Sequence, residues 1–159
     1  MRIEPYEHSQ FDIIKSLSLR AWSPVFDSIQ TAMDIDVYRS FYPDGWRVSQ
    51  LNAVESVCTT ADIKVWVAIS SDLTVGFVAV KLHSDSRMGE IYMIAVDPDY
   101  QRQGIGSALI EFAVNWMKAA GMSLAMVETG GDPGHAPARF TYEKLGFGLF
   151  PVARYFKKL

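Results

Sequence analysis

The stretch QRQGIGS at residues 101–107 carries the residue types of an anion-binding turn. It follows an apolar run at 91–96 and leads into a helical pattern. The first backbone N–H groups of a helix have no partner within the helix, and the helix dipole adds partial positive charge there. Gly104 and Gly106 let an anion approach the backbone closely, and Arg102 adds a guanidinium that suits phosphate. The stretch therefore predicts a turn that binds a phosphate or pyrophosphate.

Two better-known glycine-containing phosphate motifs do not fit this stretch. The Rossmann fingerprint requires a third glycine where this chain has Leu109, and the Walker motif requires a lysine where Ser107 follows Gly106. The pattern that does fit is Gln/Arg-x-x-Gly-x-Gly/Ala, present at residues 101–106. On this motif the chain resembles the GCN5-related N-acetyltransferase (GNAT) superfamily, whose motif binds the pyrophosphate of acetyl-CoA.

A second motif, ARFTYEKLGF at residues 138–147, resembles the fourth-helix motif of the same superfamily, Ala-x-x-x-Tyr-Glu-Lys-x-Gly-Phe. The resemblance implies that Tyr142 lies beside the thioester sulfur. Acetyl transfer expels a thiolate, and a phenol with a pKa of about 10 can protonate the thiolate as it leaves. The alternative is that Tyr142 only packs its ring in the core.

The resemblance also implies how the rest of the cofactor binds. In relatives the strand before the phosphate turn bulges away from its neighbour, and its free amides pair with pantetheine and polarise the thioester carbonyl. His135 stands where relatives often have an asparagine that contacts pantetheine, and histidine can still donate a hydrogen bond there. The residues that we expect to bind acetyl-CoA are Ile94, Ala95, Val96, Gln101, Arg102, Gln103, Gly104, Ile105, Gly106, Ser107, His135, Ala138 and Tyr142.

The acceptor ammonium must lose a proton before it attacks the thioester, so a base is needed. Glu90 is the first candidate, because it opens the strand that leads to the phosphate turn. The histone-acetyltransferase branch of the superfamily keeps a glutamate at the same spacing. Burial beside a sheet would raise the pKa of such a carboxylate toward a useful range. Glu128, His135 and a chain of water molecules are the alternatives.

An aromatic and acidic region lies between the first helix and the first long strand. Its aromatic rings either pack helices on the sheet or cover the acceptor site, where Asp34, Asp36 and Asp44 would attract a cationic amine. In relatives this region differs most and sets the choice of acceptor. The residues that we expect to contact the acceptor are Glu128, Tyr38, Tyr42 and Trp46.

The two motifs together predict an enzyme that moves an acetyl group from acetyl-CoA to a primary amine of a small molecule, protein or peptide. Transfer would be direct, in a ternary complex, because the one cysteine, Cys58, has no activating neighbour in the sequence. Two alternatives stand. One is a sensor or regulatory module that binds acyl-CoA without turnover, and the other is an acyltransferase that uses another acyl group or a hydroxyl acceptor.

The composition restricts other classes of function. At 159 residues with 49% hydrophobic and 21% charged residues, we expect one globular domain over residues 1–159. A net charge of −3 gives no support to nucleic-acid binding. The single cysteine excludes an internal disulfide and a multi-cysteine zinc site, and no metal-ligand spacing is readable. No apolar run is long enough to span a membrane, so we expect a cytoplasmic protein.

The elements that position these residues follow from periodicity and turn signals. A hairpin of two strands comes first and a strand–helix–strand–helix unit follows, which predicts a mixed α/β sheet with helices on both faces. The resemblance implies the GNAT-like acyl-CoA N-acyltransferase fold, a mostly antiparallel sheet of about seven strands with about four helices. We expect Ser23-Pro24 to break the first helix. An apolar closing hairpin within 147–156 is a candidate interface for a homodimer, which is common in the family.

Overall fold

The computed structural model describes residues 1–159 and contains one five-stranded sheet, four helices of nine residues or more and one short helix. The elements in chain order are β1 (Arg2–Pro5), α1 (Phe11–Ala32), α2 (Ile35–Phe41), α3 (Trp46–Thr59), β2 (Ile63–Ser70), β3 (Leu73–His83), β4 (Met88–Val96), α4 (Ile105–Ala119), β5 (Leu124–Val127) and α5 (Ala136–Lys144). No helix has both the length and the apolar character needed to cross a membrane.

The sheet has the strand order β1-β2-β3-β4-β5. The first three pairings are antiparallel, and β4 pairs with β5 in parallel, as expected of two strands joined by the crossover helix α4. The mixed, mostly antiparallel sheet is thus confirmed.

The prediction of about seven strands is wrong, because residues 147–156 form no hairpin. Pro151 lies in the middle of this segment and cannot donate a hydrogen bond to a strand ladder. The neighbouring edge strand β5 has only four residues, so it offers a short template. The chain after α5 instead returns to α2, where Phe156 packs edge-on against Phe41 with a centroid distance of 4.9 Å.

Helices cover both faces of the sheet, and each face has its own apolar core. Ile14 and Leu17 of α1 and Val54 of α3 pack against one face, which we call the α1/α3 face. Leu109 of α4 and Tyr142 of α5 pack against the other, the α4/α5 face. Successive strand residues alternate between the two cores, as the period of a β-strand requires.

Helix α1 continues through Pro24, so the predicted break at Ser23-Pro24 is wrong. A proline inside a helix removes one backbone hydrogen bond and costs about 3 kcal/mol. Tertiary contacts on both sides of Pro24 offset this cost. The buried residues Leu17 and Phe26 flank it, and polar contacts of Arg20 and Ser28 with distant residues hold the helix on either side.

The sheet opens between β4 and β5. The two strands pair only from Met88–Leu124 to Ile91–Val127, whereas β4 continues to Val96. At the same place β4 carries a bulge, because Ile91 pairs with Val80 and Met93 with Ala79, which leaves Tyr92 without a partner on β3. We call the gap between β4 and β5 past Ile91 and Val127 the strand gap, and Ile94, Ala95 and Val96 line one side of it.

Candidate functional site

The predicted anion-binding turn leads directly into α4. Arg102 and Gly104 have φ angles of 61° and 83°, in the left-handed region that favours glycine, and α4 begins at Ile105. A Cβ on Gly106 would meet nothing closer than 3.8 Å, and its φ angle is not positive. The fold itself therefore does not require glycine at 106, and the missing side chain leaves room for a ligand at the helix N-terminus.

The two glutamines of the turn brace its backbone. The side-chain amide of Gln101 donates to the carbonyl of Val96 at 3.1 Å, and that of Gln103 donates to the carbonyl of Asp99 at 3.4 Å. Both side chains thus hold the shape of the turn. The groups left to face an anion are the first N–H groups of α4 and the Arg102 guanidinium, which makes no ion pair.

The last three residues of β4 form one wall of the strand gap. Ile94, Ala95 and Val96 pair with β3 on one side and have no strand partner on the other. Their side chains alternate, since Ala95 joins the α1/α3 core and the other two pack against the α4/α5 core. Their backbone is therefore fixed, and its free edge is a template for an extended peptide-like ligand.

Tyr142 lies on the α4/α5 face and is 8% exposed. Its ring packs against Phe147 with a centroid distance of 5.9 Å. Burial raises the pKa of Tyr142 to about 12. The phenol therefore stays protonated at neutral pH and is a donor, as the acid interpretation requires.

His135 immediately precedes α5, and Ala138 and Tyr142 follow it at spacings that share one helix face. Seven residues of helix separate His135 from Tyr142 by about 10 Å along the axis. The Nδ1 atom of His135 contacts the carboxylate of Asp132. His135 and Tyr142 thus lie on one face of the helix, but they are too far apart to share a hydrogen bond.

Asp132 is the centre of a polar cluster that sequence reasoning missed. Its side chain is 8% exposed and accepts a hydrogen bond from the Ser28 hydroxyl at 2.7 Å. Burial raises the pKa of Asp132, but hydrogen bonds from Ser28 and His135 outweigh burial and lower the pKa below its ordinary value. Arg139 adds to the order of the loop by donating to the carbonyls of Gly130 and Asp132.

Glu90 projects from the α1/α3 face, because its neighbour Ile91 belongs to the core of the other face. Its carboxylate lies 2.7 Å from Nε2 of His83, and the side chain is 18% exposed. Glu90 and Tyr142 therefore lie on opposite faces of the sheet. The contact with His83 was not predicted; it joins diagonal neighbours on β3 and β4, where Glu90 pairs with Lys81 and His83 with Met88.

Glu128 follows β5 directly and makes no contact with Glu90 or His83. Its side chain is 70% exposed and its nearest cation is Arg154 of the C-terminal segment, with 3.6 Å between Nη1 and Oε1. Such an exposed pair contributes little free energy. Glu128 is thus accessible to a ligand at the mouth of the strand gap.

The aromatic residues predicted to cover the acceptor site pack on one another and on α1. Trp46 stacks on Phe26 with a centroid distance of 4.6 Å, Tyr42 meets the edge of Phe26 at 5.2 Å, and Tyr38 lies 4.9 Å from Tyr42. The Asp34 carboxylate caps α2, where it accepts from the N–H groups of Asp36 and Val37. These rings form a packed wall between α1, α2 and α3.

Two further observations concern nucleophilic and metal chemistry. Burial raises the pKa of the Cys58 thiol, so it is a poor nucleophile at neutral pH. No group of three or more His, Cys, Asp or Glu side chains is arranged to hold a metal ion.

The sequence matches the family model described as "Acetyltransferase (GNAT) family" over residues 33–147. Among curated relatives, the mycothiol acetyltransferase of Streptomyces coelicolor is 36% identical over 73 residues, which cover 46% of this chain and 23% of that protein. The [ribosomal protein bS18]-alanine N-acetyltransferase of Escherichia coli is 39% identical over 64 residues, which cover 40% of this chain and 42% of the relative. The chain thus spans less than half the length of these relatives.

Solved structures resemble the fold at low sequence identity. The AAC(6')-Iy structure in complex with the bisubstrate analogue CoA-S-monomethyl-acetylneamine has a TM-score of 0.69 and 16% identity, and covers 99% of this chain and 97% of that one. The aminoglycoside antibiotic 6'-N-acetyltransferase AAC(6')-IG of Acinetobacter haemolyticus has a TM-score of 0.69 and 17% identity, over 100% of this chain and 99% of that one. At these identities the likeness shows the fold.

The lowered pKa of Asp132 predicts a pH-dependent contribution to stability. Asp132→Asn is expected to lower the free energy of unfolding at pH 7 by about 1–3 kcal/mol, because its hydrogen bonds with Ser28, His135 and the N–H of Gly134 weaken. A carboxylate with a lowered folded pKa stabilises fully above its ordinary pKa and loses this effect as pH falls through the folded value. The difference between wild type and variant should therefore shrink below about pH 4.

Urea unfolding at several pH values measures this difference. Asp44→Asn is the control, because Asp44 is exposed and makes no hydrogen bond or ion pair in the structure. A difference for Asp132→Asn that stays constant down to about pH 2, or that matches the control, would contradict the proposed electrostatic role.

Proposed function

The chain belongs to the GNAT acetyltransferase family, and from this premise we propose that it transfers the acetyl group of acetyl-CoA to a primary amine. The observation that carries the proposal is the strand gap. It opens beside the N-terminus of α4 and has a free strand edge on β4. Glu90 lies on β4 in the paired stretch just before the gap, and Tyr142 lies on the opposite face of the sheet. This is an arrangement for holding an extended thioester with a diphosphate at one end.

The turn at residues 101–107 would hold the diphosphate of the cofactor. The N–H groups of Ile105, Gly106 and Ser107 have no partners within the helix, and Gly104 supplies the left-handed backbone that directs them outward. Arg102 would add a charge-assisted hydrogen bond to a phosphate oxygen. A net charge of −3 does not oppose this role, because an anion at a helix N-terminus responds mainly to nearby dipoles.

The pantetheine arm would lie along the free edge of β4. Its two amides are peptide-like and can pair with the backbone at residues 94–96 as an added strand would. One N–H of this edge would also donate to the thioester oxygen and stabilise the negative charge that develops there. His135 and Ala138 would contact the arm from the face of α5 that they share with Tyr142.

The acceptor ammonium first loses a proton to a base, which frees the lone pair of its nitrogen. The neutral amine then attacks the carbonyl carbon, and the nitrogen passes a further proton to solvent as the amide forms. The C–S bond breaks, and the departing thiolate takes a proton from the Tyr142 phenol, which solvent later restores. A phenol whose pKa is about 12 stays protonated at neutral pH, so its proton is available to the sulfur as the C–S bond breaks.

Glu90 is the base that the geometry supports best. It is largely buried, and only one of its two carboxylate oxygens contacts His83, so the other is free to accept a proton. His135 is a poorer candidate, because its Nδ1 is engaged by Asp132 and it stands about 10 Å along the helix from Tyr142. Glu128 is exposed, so we assign it to attraction of the cationic acceptor.

We assign the acceptor to amines of small molecules or peptide chains. The names of the similar proteins specify mycothiol, a ribosomal protein alanine and an aminoglycoside. In this chain Tyr38, Tyr42 and Trp46 would form a rigid wall of the acceptor site, since their rings pack on one another and on Phe26.

Replacing the phenol tests the acid directly. Tyr142→Phe is expected to lower kcat by about 10²-fold or more, because the leaving thiolate loses its proton donor. The dissociation constant for CoA should change less than about twofold, because only one oxygen atom is removed far from the diphosphate. Thiol release with acetyl-CoA and a panel of polyamines, aminoglycosides, amino acids and peptide N-termini measures kcat, and calorimetry measures CoA binding.

Tyr155→Phe is the matched control, since Tyr155 is 90% exposed in the C-terminal segment. Full activity of Tyr142→Phe would refute the acid role. Tight CoA binding by the wild type with no thiol release across the panel would favour the sensor alternative.

Replacing Glu90 tests the base. Glu90→Gln is expected to reduce kcat/KM by about 10²-fold at neutral pH and to alter its pH profile, because the amide cannot accept the proton. The measurement is the pH profile of kcat/KM. Glu111→Gln, an exposed glutamate on α4, is the control and should leave the profile unchanged. An unaltered profile for Glu90→Gln would favour proton transfer through water.

A further inference from the structure

The two sides of the strand gap are not held together by the sheet. Their pairing ends at Ile91–Val127. Beyond it, β4 runs on to the turn at residues 97–99, and β5 runs on to the loop at residues 130–135. An element outside the sheet must set the distance between this turn and this loop, because nothing in the strand ladder does so.

Helix α1 contacts the turn after β4 through one arginine. Arg20 Nη1 lies 3.0 and 2.8 Å from the two carboxylate oxygens of Asp97, and its Nη2 lies 2.8 Å from Asp99. The Asp97 side chain is only 15% exposed and also accepts the N–H of Asp99, so the arginine binds an ordered turn. This turn leads directly into the proposed diphosphate-binding residues.

The same helix contacts the loop after β5 through one serine. The Ser28 hydroxyl donates to Asp132 at 2.7 Å and accepts the N–H of Gly134 at 2.8 Å. A Cβ on Gly134 would lie 2.6 Å from the Cβ of Ser28, so the loop backbone sits directly on the helix. This loop leads into α5 and hence to Tyr142.

Eight residues separate the two contacts, which places them about 12 Å apart along α1. Ile14 and Leu17 are buried against the sheet, so the helix itself is fixed. We propose that α1 is a strut that sets the width of the strand gap, and that Arg20 and Ser28 are positioning residues for CoA. The proposal rests on the proposed function, since it concerns the same gap.

The charge of a side chain cannot explain an effect of both contacts on CoA binding. Arg20 neutralises two carboxylates near the diphosphate turn, so its loss would weaken anion binding through charge as well as through position. Ser28 is uncharged and contacts the opposite side of the gap, so a charge effect does not apply to it. A role confined to stabilising the fold would lower the free energy of unfolding without a selective loss of CoA affinity. Stability and affinity must therefore be measured side by side.

The test compares Arg20→Ala, Ser28→Ala and the double variant by calorimetric titration with CoA and by urea unfolding. If α1 sets the width, loss of either contact frees one side of the gap. Each single variant should therefore weaken CoA binding by about tenfold, and the double variant should bind little more weakly than the weaker-binding single variant. The losses in unfolding free energy should instead add, because the contacts are about 12 Å apart.

Milder and matched variants complete the design. Arg20→Lys keeps the charge but cannot bridge two carboxylates, so CoA binding should still weaken, and KM for acetyl-CoA should rise more than kcat falls. Lys15→Ala breaks the Lys15–Asp12 pair on the same helix and should leave CoA binding unchanged.

Two results would overturn the strut proposal. One is an unchanged CoA affinity in Ser28→Ala. The other is a double variant in which the losses of CoA affinity add, as the losses of stability do. A wild-type protein that does not bind CoA would overturn both the strut and the proposed function, whereas variants that bind normally beside a binding wild type overturn the strut alone.

Discussion

The early end of the pairing between β4 and β5 is the constraint on which the proposed site depends. Four residue pairs join the strands, and then a bulge at Tyr92 turns β4 away. A sheet normally satisfies its backbone groups on neighbouring strands, so this opening leaves part of a central strand unpaired. The proposed cofactor would supply the missing partner, because its pantetheine arm has two amide groups that can pair with a strand edge. The unpaired edge of β4 is thus a feature of the fold on which the proposed activity depends.

Local environment, and not net charge, decides the electrostatics of the site. The chain carries a charge of −3, yet the first N–H groups of α4 have no partner within the helix, and Arg102, just before it, makes no ion pair. Burial alone raises the pKa of Tyr142 and keeps it a donor, whereas at Asp132 hydrogen bonds outweigh burial and keep it ionised. A neutral acid and a buried carboxylate therefore coexist a short distance apart along the chain.

Sequence patterns predicted the parts of the molecule that depend on neighbouring residues. The glycine turn, the helix after it, the hairpin of β2 and β3 and the strand–helix–strand unit of β4, α4 and β5 all follow from local periodicity and turn chemistry, and each is present. Local rules were wrong where distant residues intervene. Pro24 does not break α1, because the helix is held on both sides of it.

The polar contacts that shape the site could not be predicted for the same reason. Arg20 and Asp97 are 77 residues apart, and Ser28 and Asp132 are 104 residues apart. Neither pair belongs to a motif or to a periodic pattern. The roles of Tyr142, Glu90 and the acceptor residues rest on the resemblance, and they stay proposals.

A crystal structure of the protein with bound CoA tests the central claim most directly. We expect the diphosphate at the N–H groups of residues 105–107, pantetheine hydrogen-bonded to the backbone at residues 94–96, and the sulfur within hydrogen-bond reach of the Tyr142 hydroxyl. CoA bound elsewhere on the surface, or a strand gap filled by protein side chains while CoA is bound, would contradict the account.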